Sequence, residues 1–157
     1  MEYHRSVTKT TSIEDTRSRA LDGLDPDVQE QLEQYFTPLA VAEIMVCLFE
    51  VPKRECYRIL DPGAGSGILG ALLAQKILKE QPECQVILTS VELDRSLEPY
   101  YRETISNVVG QDRLSAEFIS EDFLKWSAKP REKFDFIIQN PPYKKMDSKS
   151  GIAKSLV

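Results

Sequence analysis

Stretches rich in β-branched and other apolar residues alternate with helical stretches along most of this chain, and that alternation limits the fold more than any other feature. The β-rich stretches are Tyr57–Asp61, Val86–Val91, Ala116–Ile119 and Phe134–Gln139. The helical stretches lie near 39–49, 67–80 and 97–109. Strands that alternate with helices form parallel sheets with helices packed against them. The sequence therefore predicts an α/β, doubly wound sheet of about four parallel strands in the order 3-2-1-4, with a ligand crevice at the carboxyl ends of the strands.

A glycine-rich turn follows the first predicted strand and leads into a helix. It reads Asp61-Pro62-Gly63-Ala64-Gly65-Ser66-Gly67, and its alternate glycines let the backbone turn tightly and approach a ligand at the helix N-terminus. The turn lacks the Gly-Lys-Ser/Thr ending of a triphosphate-binding loop and the Gly-x-Gly-x-x-Gly spacing of a dinucleotide site. Such a turn also occurs for geometric reasons alone. As a ligand site, it favours a cofactor without a pyrophosphate, such as S-adenosylmethionine.

Acidic residues follow the second and third predicted strands. Glu92 lies at the tip of the second strand, where one carboxylate can accept from both hydroxyls of a cofactor ribose. Asp122, after the third strand, can accept from the amino group of an adenine, and Phe123 can pack on the adenine ring. The alternative role for such acids is a helix cap or a solvated strand end. We assign that alternative role to Asp94 and Glu121.

The first predicted helix begins after Thr37-Pro38. This pair is typical of a helix N-terminus, with Thr37 as the N-cap and Pro38 in the first turn. Capping accounts for these two residues, but it does not account for the preceding Gln34-Tyr35-Phe36.

Asn140-Pro141-Pro142-Tyr143 follows the fourth predicted strand and suits the methylation of a weakly nucleophilic amine. The lone pair of an exocyclic purine amine is delocalised into the ring, so hydrogen-bond acceptors must turn the nitrogen toward tetrahedral geometry before it attacks. The Asn140 side-chain oxygen and the Pro141 carbonyl can each accept one N–H, and Pro142 holds Pro141 extended. Tyr143 offers a ring on which an extruded base can stack. A strand that ends in a proline turn capped by asparagine is the simpler alternative.

Together these motifs resemble the N6-adenine DNA methyltransferases of restriction-modification systems with the gamma arrangement, in which the cofactor motifs precede the catalytic motif. The resemblance covers roughly residues 30–143. It implies a Rossmann-like, S-adenosylmethionine-dependent methyltransferase fold, and direct methyl transfer to N6 of an adenine flipped out of duplex DNA. The catalytic residues that it implies are Asn140, Pro141, Pro142 and Tyr143. The cofactor-binding residues that it implies are Tyr35, Phe36, Thr37, Pro38, Asp61, Pro62, Gly63, Ala64, Gly65, Glu92, Leu93, Asp122 and Phe123.

The resemblance implies that a complete enzyme of that family has a seven-stranded sheet followed by a target-recognition domain. Four strands are predicted in this sequence. We therefore expect residues 31–143 to form the N-terminal half of the methyltransferase domain, with a partly helical or mobile tail at 1–30 and a disordered end at 144–157. The C-terminal strands and the target-recognition region would be absent, and the chain would be inactive alone. The exposed fourth strand would favour self-association or pairing with a completing chain.

Composition agrees with one domain and indicates neither a membrane segment nor a metal site. The 157 residues are 41% hydrophobic, which is enough for one core, and no apolar run approaches the roughly 20 residues of a membrane span. Three cysteines and one histidine show no metal-site spacing, and free cysteines are typical of the reducing cytoplasm. The formal net charge of −5 predicts weak DNA binding by these residues alone.

Two other classes of function remain open. A methyltransferase with the same Asn-Pro-Pro-Tyr motif can act on a glutamine amide of a protein or on RNA bases, because an amide nitrogen poses the same lone-pair problem. The segment 34–38 favours the DNA-adenine class. The enzymes with this motif that methylate glutamine amides typically carry a separate helical domain in place of that segment. The second alternative is a non-catalytic cofactor-binding or interaction module.

Overall fold

The computed structural model describes residues 15–16, 18–20, 36–129 and 132–141. Residues 15–16 and 18–20 are helical. The helices from residue 36 onward are α1 (Leu39–Cys47), α2 (Ile68–Glu80), α3 (Glu98–Ser106) and α4 (Phe123–Ser127). Its strands are β1 (Cys56–Pro62), β2 (Gln85–Glu92), β3 (Leu114–Ser120) and β4 (Phe136–Ile137). Short 3-10 turns at Arg95–Leu97 and Gln111–Arg113 precede α3 and β3. A helix connects each strand to the next, as parallel strands require.

The four strands form one parallel sheet in the order β3-β2-β1-β4. This order confirms the predicted fold class and strand sequence. Strands β1 and β2 stay in register from Cys56 opposite Gln85 to Pro62 opposite Val91, and β3 continues the register on the other side of β2. Because the strands are parallel, their carboxyl ends lie along one edge of the sheet, where the predicted motifs begin.

Strand β4 is shorter than the predicted Phe134–Gln139, since only two of its residues pair with β1. Asp135 explains the late start, because its Oδ2 accepts a hydrogen bond of 2.8 Å from the backbone N–H of Arg58 in β1. Beyond β4 the backbone still follows β1, and the Ile138 N–H donates to the Leu60 carbonyl at 3.0 Å. The residues after Ile138 therefore remain at the carboxyl edge.

Helices α1 and α3 end earlier than the sequence predicts, at Cys47 and Ser106. At each end the backbone tightens: the N–H groups of Leu48 and Asn107 donate to carbonyls three residues earlier, at 3.2 and 3.1 Å. No helix in the described ranges is both long enough and apolar enough to cross a membrane. The predictions for residues 21–35 and 144–157 concern parts of the chain outside those ranges.

The main core lies between α2 and one face of the sheet. Its fully buried side chains include Tyr57, Ile59, Leu73, Ile77, Val86 and Leu88. Burial of each large aliphatic side chain stabilises the fold by about 1.5–3 kcal/mol. On the other face, Trp126 of α4 packs with Leu60 and Val91 near the strand ends. Helices therefore pack on both faces of the sheet, and α4 packs close to its carboxyl edge.

Candidate cofactor and substrate site

A cavity of about 470 Å³ opens at the carboxyl edge of the sheet. This volume lies within the range of about 300–1,000 Å³ typical of small-molecule sites. Its wall combines the glycine turn, the ends of β2 and β3, the start of α4 and the segments before α1 and after β4. The lining residues are Phe36, Thr37, Pro62, Gly63, Ala64, Gly65, Ser66, Ile68, Leu69, Val91, Glu92, Leu93, Glu121, Asp122, Phe123, Leu124, Gln139, Asn140 and Pro141.

The glycine turn is shaped by left-handed backbone conformations and by hydrogen bonds to β2. Gly63, Gly65 and Gly67 have φ of 66°, 56° and 82°, a region that residues with a Cβ rarely adopt. The Gly63 N–H donates to the Val91 carbonyl at 2.8 Å, and the Gly67 N–H closes the turn on the Ala64 carbonyl at 2.8 Å. Pro62, Gly63, Ala64 and Gly65, the residues of the turn for which a cofactor contact is predicted, all lie in the cavity wall.

Asp61 does not reach the cavity, in contrast to the prediction of a direct cofactor contact. It is 1% exposed, and its Oδ2 accepts a hydrogen bond of 2.9 Å from the Gly70 N–H in the first turn of α2. The side chain points from β1 toward the helix, because alternate residues of a strand face opposite sides of the sheet. Burial, together with the nearby charge of Glu92, raises the pKa of Asp61 to about 7. Asp61 therefore stabilises the glycine turn indirectly, through its hydrogen bond to the first turn of α2.

Glu92 lies in the cavity wall at the end of β2 and is 6% exposed. Its Oε2 accepts from the Gly65 N–H at 2.8 Å, and its Oε1 accepts from the Asp94 N–H at 3.0 Å. These two bonds hold the carboxylate at the end of β2, beside the cavity. Glu92 thus braces the glycine turn and faces the ligand space. Leu93 follows it in the wall, with its side chain exposed.

The start of α4 supplies a further part of the wall. Asp122 caps this helix, and its Oδ1 accepts from the Lys125 N–H at 3.1 Å. The capping alternative therefore holds for Asp122, although the residue also lines the cavity with Phe123. Glu121, which we expected to be a cap or a solvated residue, lies in the wall as well and pairs with Lys129 Nζ at 2.6 Å. Asp94 is a cap as predicted, because its Oδ1 accepts from the Ser96 N–H at 2.8 Å.

The segment before α1 differs from the prediction. Pro38, not Thr37, is the N-cap of α1, and no side chain caps this helix. Thr37 is instead 4% exposed, and its Oγ1 accepts a hydrogen bond of 3.1 Å from Asn140 Nδ2. Phe36 packs on the glycine turn, with a ring atom 3.4 Å from where a Cβ on Gly65 would lie. Phe36 and Thr37 line the cavity, whereas Pro38 does not.

Asn140 and Pro141 lie in the same wall as the glycine turn and Glu92. The cavity therefore joins the two acceptors predicted to handle an amine to the residues predicted to bind a cofactor. The predicted contributions of Tyr35, Pro142 and Tyr143 fall outside the described residues.

The charge of the wall is one-sided. Among the described lining residues there are three carboxylates, on Glu92, Glu121 and Asp122, and no lysine or arginine. Because Lys129 pairs with Glu121, the negative charge of the wall lies mainly on Glu92 and Asp122. A charge of this sign favours positively charged ligands over phosphates. Within the described part of the chain, no group of His, Cys, Asp and Glu residues is arranged to hold a metal ion.

Several wall residues were not predicted from the sequence. They are Ser66, Ile68, Leu69, Val91, Glu121, Leu124 and Gln139. Each is adjacent or close in sequence to a predicted residue. Proximity to the motifs is therefore the one feature of the sequence that could have identified them as wall residues. Their side chains are mostly apolar, and apolar residues at the end of a strand or the start of a helix also occur in cores without any ligand.

Comparison with known proteins agrees with this architecture. Residues 42–157 match the family model described as Methyltransferase small domain. The Type II methyltransferase M.BsuBI of Bacillus subtilis is 32% identical over 139 residues, which cover 82% of this chain and 28% of that protein. The tRNA1(Val) (adenine(37)-N6)-methyltransferase of Haemophilus influenzae is 34% identical over 90 residues, which cover 57% of this chain and 36% of that protein. The chain thus spans about a third of the length of these relatives.

Two solved structures share the fold at low sequence identity. A putative class I S-adenosylmethionine-dependent methyltransferase from Listeria monocytogenes has a TM-score of 0.57 and 18% identity, covering 83% of this chain and 40% of that one. A putative O-methyltransferase from Klebsiella pneumoniae has a TM-score of 0.54 and 19% identity, covering 82% of this chain and 51% of that one. Both similarities concern the fold. By the match of its residues 42–157, the chain belongs to the methyltransferase small domain family.

Proposed function

We propose that this chain carries the cofactor site and the amine-binding segment of a methyltransferase that transfers a methyl group from S-adenosylmethionine to N6 of adenine in DNA. One observation carries the proposal: Asn140 and Pro141 share one cavity wall with Gly63, Gly65 and Glu92. Acceptors for an amine and a cradle for a cofactor are therefore open to the same space.

The volume of the cavity and the charge of its wall support S-adenosylmethionine as the cofactor. The turn presents backbone rather than side chains at Gly63 and Gly65, and a Cβ on Gly63 would meet nothing within 4 Å. The carboxylate of Glu92 would accept from ribose hydroxyls, and Phe123 and Leu93 would supply apolar surface for an adenine ring, since all three residues line the cavity. When bound, the cofactor would supply a methyl group on a positively charged sulfur, a charge that the carboxylates of Glu92 and Asp122 suit.

The residues at the end of β4 act on the amine that receives the methyl group. The Asn140 side-chain oxygen and the Pro141 carbonyl each accept one amine hydrogen, which directs the nitrogen lone pair away from the purine ring and toward the methyl carbon. Bound S-adenosylmethionine would supply the methyl carbon, and its sulfur would take the electrons of the carbon–sulfur bond. The amine nitrogen would form the new bond with its lone pair and then release one proton to solvent. Cys47, Cys56 and Cys84 do not line the described cavity, so the chain's own residues indicate direct transfer.

Similarity favours DNA over RNA as the substrate. The Type II methyltransferase matches over 82% of this chain, whereas the tRNA methyltransferase matches over 57%. The Gln34-to-Pro38 segment, which resembles DNA-adenine enzymes, points the same way. By the resemblance of its motifs to the gamma-arranged DNA-adenine enzymes, the protein is proposed to act in the cytoplasm, in a restriction-modification system.

A methylation assay tests this function. The protein expressed from its complete reading frame is incubated with labelled S-adenosylmethionine and either unmethylated plasmid DNA or bulk tRNA, and the nucleosides are separated by mass spectrometry. We expect N6-methyladenine in DNA. Label in tRNA adenine alone would assign the protein to RNA. Label in protein, or cofactor binding without transfer to any of these substrates, would contradict N6-adenine methylation.

A further inference from the structure

We infer that Thr37 is a positioning residue for Asn140, an inference that rests on the function proposed above. The observation is the hydrogen bond of 3.1 Å from Asn140 Nδ2 to Thr37 Oγ1, which joins residues 103 positions apart. The sequence pattern predicts that the Thr37 hydroxyl caps a helix. In the structure this hydroxyl instead accepts a hydrogen bond from Asn140.

The direction of this bond decides which end of the amide is available to an amine. An asparagine side chain has a carbonyl acceptor and an NH₂ donor of nearly the same shape. The N–H of a substrate amine needs an acceptor, which is the carbonyl oxygen of the asparagine amide. If the NH₂ group faced the amine instead, two hydrogen-bond donors would point at each other. A threonine hydroxyl can accept or donate a hydrogen bond. In this structure Thr37 Oγ1 accepts from Nδ2, which holds the amide with Oδ1 as the end that serves the substrate.

Both partners are held by rigid structure. Thr37 is buried between Phe36, which packs on Gly65, and Pro38, whose carbonyl accepts from the Ala42 N–H at 3.0 Å in the first turn of α1. On the other side, Asn140 follows Ile138, which is 2% exposed and bonded to β1. Because these contacts fix both segments, the bond holds the amide orientation before substrate binds.

The substitution Thr37→Val is the direct test, because valine has the same branched shape without the hydroxyl. In the protein from the complete reading frame, we expect Thr37→Val to lower kcat for DNA by about 10-fold or more. The dissociation constant of S-adenosylhomocysteine, measured by isothermal titration, should change by less than about 3-fold. Thr37→Ser keeps the hydroxyl and should restore most of the turnover. Thr104→Val is the matched control, because Thr104 is fully buried and its Oγ1 has no hydrogen-bond partner among the described residues.

A double-mutant cycle separates positioning from a general structural effect. In an Asn140→Ala background, Thr37→Val should cause no further loss of kcat, because the amide that it orients is gone. An equal loss in both backgrounds, an unchanged kcat in Thr37→Val, or a loss confined to cofactor affinity would each overturn the inference. Should the valine variant fail to fold in a thermal melt, Thr37→Ala gives the same comparison. Absence of adenine methylation by the unmutated protein would instead contradict the proposed function.

Discussion

Asp61 Oδ2 accepts a hydrogen bond of 2.9 Å from the backbone N–H of Gly70, so a side chain of β1 caps the first turn of α2 across the glycine turn. The helix needs this partner, because its N-cap Gly67 supplies no side-chain hydrogen bond and the first N–H groups of a helix have no intrahelical acceptor. The approach is close: a Cβ on Gly70 would lie 2.8 Å from the same oxygen. The strand, the turn and the helix that build the cofactor site are therefore connected through one buried carboxyl group.

This carboxyl group makes the stability of the fold depend on pH. The pKa of Asp61 is raised from 3.8 to about 7 by burial and by Glu92. The folded state then holds a proton that the unfolded state releases, so this group's contribution to the free energy of unfolding falls as pH rises from about 4 to 7. Asp61→Asn keeps an acceptor for Gly70 without the charge. We expect its stability relative to the unmutated chain to increase by a few kcal/mol, on the order of 1.4 per pKa unit, between pH 4.5 and pH 8 in urea titrations. Parallel pH profiles for the two proteins would contradict this account.

Gly67 is the position in the turn with least room. Its φ is +82°, and an added Cβ would lie 2.6 Å from the ring of the buried Tyr101. We expect Gly67→Ala to cost roughly 2–5 kcal/mol of stability, from backbone strain and overpacking together. Gly63→Ala is the control, because its φ of +66° brings similar strain but its Cβ would meet nothing within 4 Å. Its cost should stay near 1–2 kcal/mol. Equal losses in denaturant unfolding would show that Tyr101 does not limit the turn.

The strands, the helices and the strand order could be predicted from the periodic pattern of apolar residues. The contacts between segments distant in sequence could not. The parallel strand order follows from apolar runs separated by helices, which are visible in the sequence. The direction of the Asp61 side chain depends on strand register, and an acid after a strand can face either the ligand or the helix. Thr37 before Pro38 has the local pattern of a cap, but its partner is Asn140, and local pattern does not show that contact. Similarly, the shortened β4 depends on Asp135 occupying the Arg58 N–H.

Glu92 should be the side chain on which cofactor affinity depends most. Glu92→Ala removes a charged acceptor facing the ligand and also the brace on Gly65. We expect a loss of about 1.5–3 kcal/mol, or roughly 10- to 150-fold, in S-adenosylhomocysteine affinity by isothermal titration. Glu117→Ala is the control, because Glu117 is exposed on β3 and does not line the described cavity. Similar affinities for the two variants would remove Glu92 from the binding site.

Asn140 should affect turnover far more than cofactor binding. Asn140→Ala removes an acceptor that stabilises the reacting amine, and loss of one such group costs about 100- to 1,000-fold in kcat. Cofactor affinity should remain within about 3-fold, because the glycine turn and Glu92 are unchanged. Asn107→Ala, at the end of α3, changes the same side chain outside the described cavity wall. A large loss of cofactor affinity in Asn140→Ala would mean that Asn140 is structural.

The most direct test of the account is whether this cavity binds the cofactor at all. The isotopically labelled chain is titrated with S-adenosylhomocysteine, and its backbone amide signals are followed by NMR, with ATP as the comparison ligand. We expect saturable shifts with S-adenosylhomocysteine, concentrated on residues of the cavity wall, and no comparable shifts with ATP. A folded chain without shifts, with shifts centred instead on the opposite edge of the sheet near Arg54 and Asp135, or with an equal response to ATP would contradict it.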